Sequence, residues 1–171
     1  MAQTKIGYED YRDFLDLLTD LITKGLGDSL ISLVLYGSVA RGEASKESDI
    51  DILIIQRGAS TVYYERLKPI LEAERELRSS EPFQALRQKG FFPYISYLIL
   101  SDEEARENRY IFLDMIDGSR VLYDREGSFE RRLEELRRRL KSLGSRKVCL
   151  PDGSWYWDLK PDLVAGEVFE L

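Results

Sequence analysis

Histidine is absent from the 171 residues of this chain, and cysteine occurs once, as Cys149. Without an imidazole there is no histidine general base, no Ser-His-Asp triad and no His₂Cys₂ zinc site. A single thiol excludes an intrachain disulfide and fits a reducing compartment. Lying between Val148 and Leu150, Cys149 is expected to be a buried strand residue. Long apolar runs are also missing: none approaches the roughly 20 residues that a membrane-spanning helix needs. The stretch MAQTKIGYED does not read as a secretory leader, so a cytoplasmic protein is expected. Positive charge is in deficit, with 25 Lys and Arg against 31 Asp and Glu, a net of −6. That balance argues against a long nucleic acid as partner, because a basic surface provides most of such binding. Chemistry in this chain therefore rests on carboxylates, hydroxyls, Lys, Arg and metal-bound oxygen.

Apolar residues make up 43% of the chain, enough for one ordinary core, so residues 1–171 are expected to form a single domain. Tyr11, Phe14, Leu15, Leu18, Leu21 and Ile22 recur at helical spacing over 8–24, with Gly25 and Gly27 ending the run. SLISLVLYG and DIDILIIQ read as strands buried on both faces. A helix over 61–77 should be capped by Ser60, and 79–92 is irregular with a short helix after Pro82. PYISYLIL is a third strand, Ser101 and Glu104 form a capping box for a helix to about Met115, and SRVLYD is a fourth strand. Phe129, Leu133, Leu136, Leu140 and Leu143 mark one face of a last helix. Its charge run RRLEELRRRLK reads as a solvated face, the alternative being a docking surface for phosphate or an acidic partner. RKVCLPDGSWYWDL reads as a hairpin turning on Pro151-Asp152-Gly153. Its Trp155-Tyr156-Trp157 run either packs on the core or forms a partner surface. The order of elements predicts a mixed α/β or α+β domain.

The chemistry concentrates in LYGSVARGEASKESDIDILII, residues 35–55. Gly37 follows a strand and lets backbone approach a ligand closely. The N–H groups of the next turn and the Ser38 hydroxyl can hold phosphate oxygens. Asp49 and Asp51 lie two apart at the head of a strand, so their carboxylates share a face. Such a pair suits Mg²⁺, a hard cation that keeps positions for substrate phosphates. The plainer reading is that Ser48 and Asp49 cap a turn and Asp51 sits on an exposed edge. The preceding strand-Gly-Ser favours the site. No G-x-x-x-x-G-K-[ST] and no G-x-G-x-x-G opening a helix is present, which excludes a P-loop kinase or GTPase and a Rossmann dehydrogenase.

Gly37-Ser38, ten residues, then Asp49-x-Asp51, with Arg41, Gly42 and Ser48 in place, resembles the signature of the DNA polymerase β nucleotidyltransferase superfamily. The likeness is closest to the minimal prokaryotic, antitoxin-type members that accompany HEPN-domain toxins. The resemblance implies a nucleotidyltransferase fold, a mixed sheet flanked by helices, with a core over 1–123 and a helix-and-hairpin extension over 124–171. It implies transfer of a nucleoside monophosphate, AMP from ATP, to a protein or small-molecule hydroxyl. Gly37 and Ser38 would hold the β- and γ-phosphates, Arg41 would contact phosphate, and Asp49 and Asp51 would bind Mg²⁺. A HEPN-type toxin or another protein acceptor is the implied partner, and an oligomer is compatible. The chain departs from the family where a third carboxylate is expected. The strand PYISYLIL carries none from Lys89 to Leu100, and Ser96 is its only small polar residue. Asp158 is one candidate to replace it. The second functional reading is accordingly a catalytically weak or inactive partner-binding subunit, such as an antitoxin.

Overall fold

The two β-branched runs pair at the centre of the molecule. The computed structural model describes residues 5–107, 109–152 and 154–171. Strand β1 (Leu30–Tyr36) is buried along its whole length except at Tyr36, as a strand covered on both faces should be. It lies antiparallel between β2 (Ile50–Gln56) and β4 (Arg120–Asp124). Strand β3 (Ile95–Ser101) adds in parallel to the other edge of β2, giving the order β3-β2-β1-β4. The result is a mixed α/β domain, as the element order predicts, with the mixed sheet flanked by helices that the family resemblance implies.

Alternation along β2 divides the core in two. Ile50, Ile52 and Ile54 face a cluster that includes Phe14, Leu18 and Ile22 of α1 (Arg12–Leu26). The same cluster takes Ile70 and Leu77 from α3 (Tyr63–Arg78) and Leu86 from α4 (Glu81–Gln88). Leu53 and Ile55 face the opposite side. There they meet Ala105 of α5 (Asp102–Arg106), Phe112 and Met115 of α6 (Ile111–Gly118), and Phe129 and Leu133 of α7 (Ser128–Ser142). Each fully buried Leu, Ile or Phe contributes roughly 1.5–3 kcal/mol from burial alone. Between β1 and β2 the chain makes α2 (Gly37–Arg41), one short turn of helix. A separate hairpin, β5 (Arg146–Cys149) with β6 (Trp155–Asp158), leans Trp157 and Leu159 on the α6–α7 side.

Several local expectations are corrected. Ser60 does not cap α3: Val62 is the N-cap residue, and the Ser60 hydroxyl instead accepts the Val62 N–H at 3.1 Å. The Ser101–Glu104 capping box forms, but its helix stops at Arg106, where Glu107 turns extended (ψ 148°). Arg109 Nε then donates to the freed Glu104 carbonyl at 2.9 Å, and α6 starts afresh at Ile111. Cys149 is exposed rather than buried, because the two-stranded hairpin is not covered on both faces as the main sheet is. The hairpin turn closes with Leu150 N–H donating to the Ser154 carbonyl at 2.8 Å; Gly153 of the expected Pro-Asp-Gly turn lies outside the described residues.

Helix α7 is locked to the sheet by one carboxylate. Asp124 accepts the backbone N–H groups of Phe129 and Glu130 at 3.1 Å, and also the hydroxyl of fully buried Ser32 at 2.7 Å. Asp124→Ala removes a helix cap and leaves the buried hydroxyl without its partner. A loss of about 2–3 kcal/mol is expected in urea unfolding, and a change below about 0.5 kcal/mol, the range of an ordinary surface substitution, would remove Asp124 from this role.

Candidate functional site

Strand pairing brings the residues of 35–55 to one end of the sheet. Asp51, the second residue of β2, stands opposite Tyr36 on β1 and opposite Ser96 on β3. Asp49 directly precedes the strand, and the Ile50 N–H between the two acids donates to the Tyr94 carbonyl at 2.8 Å. Asp51 is therefore on a central strand, not an exposed edge. Gly37 opens α2 at φ +73°, and a Cβ there would lie 2.2 Å from Asp51 Oδ2. Both facts demand glycine: the left-handed backbone, and the contact between chain and carboxylate. Ser38 follows in the first turn of α2, and the turn ends at Gly42, again left-handed at φ +69°.

The electrostatics follow from this crowding. The Asp51 carboxyl is raised above the ordinary range by burial first and by the charge of Asp49 second. The neighbouring Ser96 hydroxyl and the charge of Arg41 offset part of this. Tyr36 is pushed up to about 12, by burial and then by Asp51, Asp114 and Tyr63. Arg41 is paired with Glu43 at 2.8 Å, and its stem lies against Gly118 of α6, where a Cβ would come within 2.9 Å. Its charge also reaches Asp114, whose carboxyl is raised by burial.

Gly37, Ser38, Arg41, Asp49 and Asp51 thus gather at one end of β1 and β2. The sequence reading missed Tyr36, Gly118 and Asp114, which border them. Tyr36 adjoins Gly37 and could have been read from the register of the two strands. Asp114 and Gly118 come from a helix more than sixty residues away in sequence and carry no local signal. Ser96 occupies the position beside Asp51 where an acid was sought. Asp158 does not take its place: it is ion-paired with Arg146 at 3.0 Å on the hairpin. Among the described residues no group of three acidic, His or Cys side chains could hold a metal.

Residues 17–112, more than half of the chain, match the sequence model of the nucleotidyltransferase domain. The chain belongs to the nucleotidyltransferase domain family. Among curated proteins it is similar to one from Methanocaldococcus jannaschii named "Putative protein adenylyltransferase MJ1305", 25% identical over 77% of this chain and 84% of that one. Among solved structures it is similar to one described as a putative nucleotidyltransferase from Sulfolobus solfataricus, with TM-score 0.45, 19% identity, and 74% of this chain and 94% of that one covered. A toxin–antitoxin structure with AMP-PNP gives TM-score 0.44 and 18% identity over 72% and 90% of the chains. A tri-AMPylated Shewanella oneidensis HEPN toxin in complex with MNT antitoxin gives 0.40 and 16% over 75% and 90%.

The donor set suits a hard divalent cation. Asp49 and Asp51 offer carboxylate oxygens, Ser96 adds a hydroxyl beside Asp51, and no soft ligand is among them. Mg²⁺ is commonly held by one or two carboxylates, with water and substrate phosphate completing the shell. Without a cation, ionised Asp51 is a burden at neutral pH. A carboxyl raised in the fold contributes favourably below its unfolded pKa of about 4, and that contribution is lost as pH rises through the folded value. In EDTA, Asp51→Asn is therefore expected to raise the urea midpoint at pH 7, with the gain shrinking toward pH 4. An unchanged or lower midpoint at pH 7 would contradict the strain assigned to the pair.

Proposed function

We propose that the chain is a Mg²⁺-dependent nucleotidyltransferase that moves AMP from ATP to a hydroxyl of a protein or small molecule. The observation that carries this reading is the pairing of Asp51 with Tyr36 and Ser96, with Gly37 pressed against its carboxylate. The similarity to a relative named as a protein adenylyltransferase supports a protein acceptor. In this reading residues 1–123 form the catalytic core and 124–171 an extension.

Asp49 and Asp51 hold the cation, which when bound supplies charge stabilisation at the transferring phosphate. Gly37 brings the backbone of α2 close to the triphosphate, and the Ser38 hydroxyl donates to a β- or γ-phosphate oxygen. Arg41, held along Gly118, directs its guanidinium toward the same phosphates after parting from Glu43. The acceptor oxygen forms a bond to the α-phosphorus as the bond to the bridging oxygen of pyrophosphate breaks. Pyrophosphate leaves with that electron pair, and the acceptor's proton passes to solvent. Such chemistry depends on positioning and electrostatics, so a chain without histidine can perform it.

Calorimetry with Mg-ATP tests the site. Wild type should bind, and binding should vanish in EDTA and in Asp49→Asn/Asp51→Asn; heat that persists in the double variant would reject the assignment. Ser96→Asp places a third carboxylate beside Asp51 and should tighten Mg²⁺ binding by about tenfold. Equal or weaker Mg²⁺ binding in that variant would mean that the position opposite Asp51 does not serve the cation.

The second reading is a partner-binding subunit whose transfer activity is weak, such as an antitoxin. It is favoured by Ser96 in the acid position and by the hairpin, where Tyr156 is exposed and the Lys147 ammonium lies 3.9 Å from the Trp155 ring centre. A HEPN-type toxin is the partner this reading names.

A further inference from the structure

At the far end of β2 from the carboxylate pair lies a cavity of about 310 Å³ between the sheet, α5 and α7. Arg57 on its wall directly follows β2, six residues beyond Asp51, which is roughly 20 Å at the rise of an extended strand. The cavity is lined by four arginines, Arg57, Arg106, Arg131 and Arg132, against two acids, Asp102 and Glu135. Two positive charges are left over in a protein whose net charge is −6. The acids are loosely matched: Asp102 lies 3.7 Å from Arg106, and Glu135 3.6 Å from Arg132. Among the described residues, Arg57 and Arg131 have no carboxylate partner; Arg131 donates to the Glu126 carbonyl.

The floor is apolar and buried, made of Ile31, Ile55, Ala105 and Phe129. The first N–H groups of α7 do not contribute, because Asp124 already accepts those of Phe129 and Glu130. Recognition of an anion therefore falls to guanidinium groups from different elements, whose forked donors match phosphate oxygens. A dianion offsets the excess of two charges, and the floor takes an apolar or aromatic body of the size that small pockets hold. Arg131 and Arg132 begin the charge run of α7, so part of that run faces a cavity rather than open solvent.

We propose that this cavity is a second ligand site, separate from the carboxylate pair, for a small phosphate monoester with an apolar body. The test is titration of 1-naphthyl phosphate into the full chain in EDTA, beside inorganic phosphate, with urea midpoints for every variant. Wild type should bind the ester in the millimolar range or better, and at least about tenfold more tightly than inorganic phosphate, as burial of one aromatic ring on the floor predicts. Arg57→Gln/Arg131→Gln should weaken the ester by about tenfold or more, and Arg57→Gln, whose guanidinium has no hydrogen bond among the described residues to lose, by several-fold. Asp49→Asn/Asp51→Asn should bind the ester like wild type. No wild-type binding at millimolar ester, equal affinity for inorganic phosphate, or unchanged affinity in the arginine variants would each overturn the proposal. Mg-ATP binding by the arginine variants, read in parallel, keeps failure of this site distinct from failure of the nucleotide site.

Discussion

The register of β1 against β2, with Tyr36 opposite Asp51, is the constraint on which the candidate site depends. A strand shifted by one residue turns every side chain to the other face. Such a slip would put Asp51 among Phe14, Leu18 and Ile70, and would turn Ile52 to the side of α6. The apolar alternation of β2 forbids it, because Ile50, Ile52 and Ile54 fill one cluster and Leu53 and Ile55 the other. Core packing thus aims the carboxylate, and the parallel pairing with β3 then sets Ser96 beside it. Gly37 completes the arrangement, since any side chain there would collide with Asp51.

That arrangement is electrostatically tense. Burial and the neighbouring charge of Asp49 disfavour negative charge at Asp51, while Ser96 and Arg41 relieve it only in part. Structural ion pairs in the same molecule look different. Arg66 is buried and meets Glu104 with two guanidinium hydrogen bonds, and that carboxyl is drawn down by the contact and by the Ser101 N–H. The contrast separates a settled ion-pair clamp from a cluster in which burial and like charge stay only partly relieved.

Helix α7 is a structural member whose polar side is largely committed. Arg137 donates to the Ile116 carbonyl at the end of α6, and Arg139 donates to the Glu170 carbonyl of the C-terminal segment at 2.6 Å. Its first turn is tied to β1 through Asp124 and Ser32. The helix therefore couples β4, α6 and the tail, and its charge run is more than a solvated surface.

Much of this was legible in the residue order. Periodicity located the central strands and most of the helices, because burial on one or both faces writes itself into apolar spacing. Glycine, serine and two acids at fixed intervals marked the candidate site, because a close turn and a shared strand face are local properties. Capping was legible at Ser101, where partner and cap lie three residues apart, and misread at Ser60, where neighbouring bonds decide. The sequence by itself determined the family, the strand pair and the five residues that gather at its end. Only the tertiary structure decided that Asp114 and Gly118 border them, that Ser96 stands beside Asp51, that Asp158 belongs to Arg146, and that Cys149 is exposed. The places of Asp114, Gly118 and Ser96 depend on which distant segments share a sheet edge or a helix face, which is set by packing across the whole core; those of Asp158 and Cys149 depend on the register of the hairpin and on its standing apart from the main sheet.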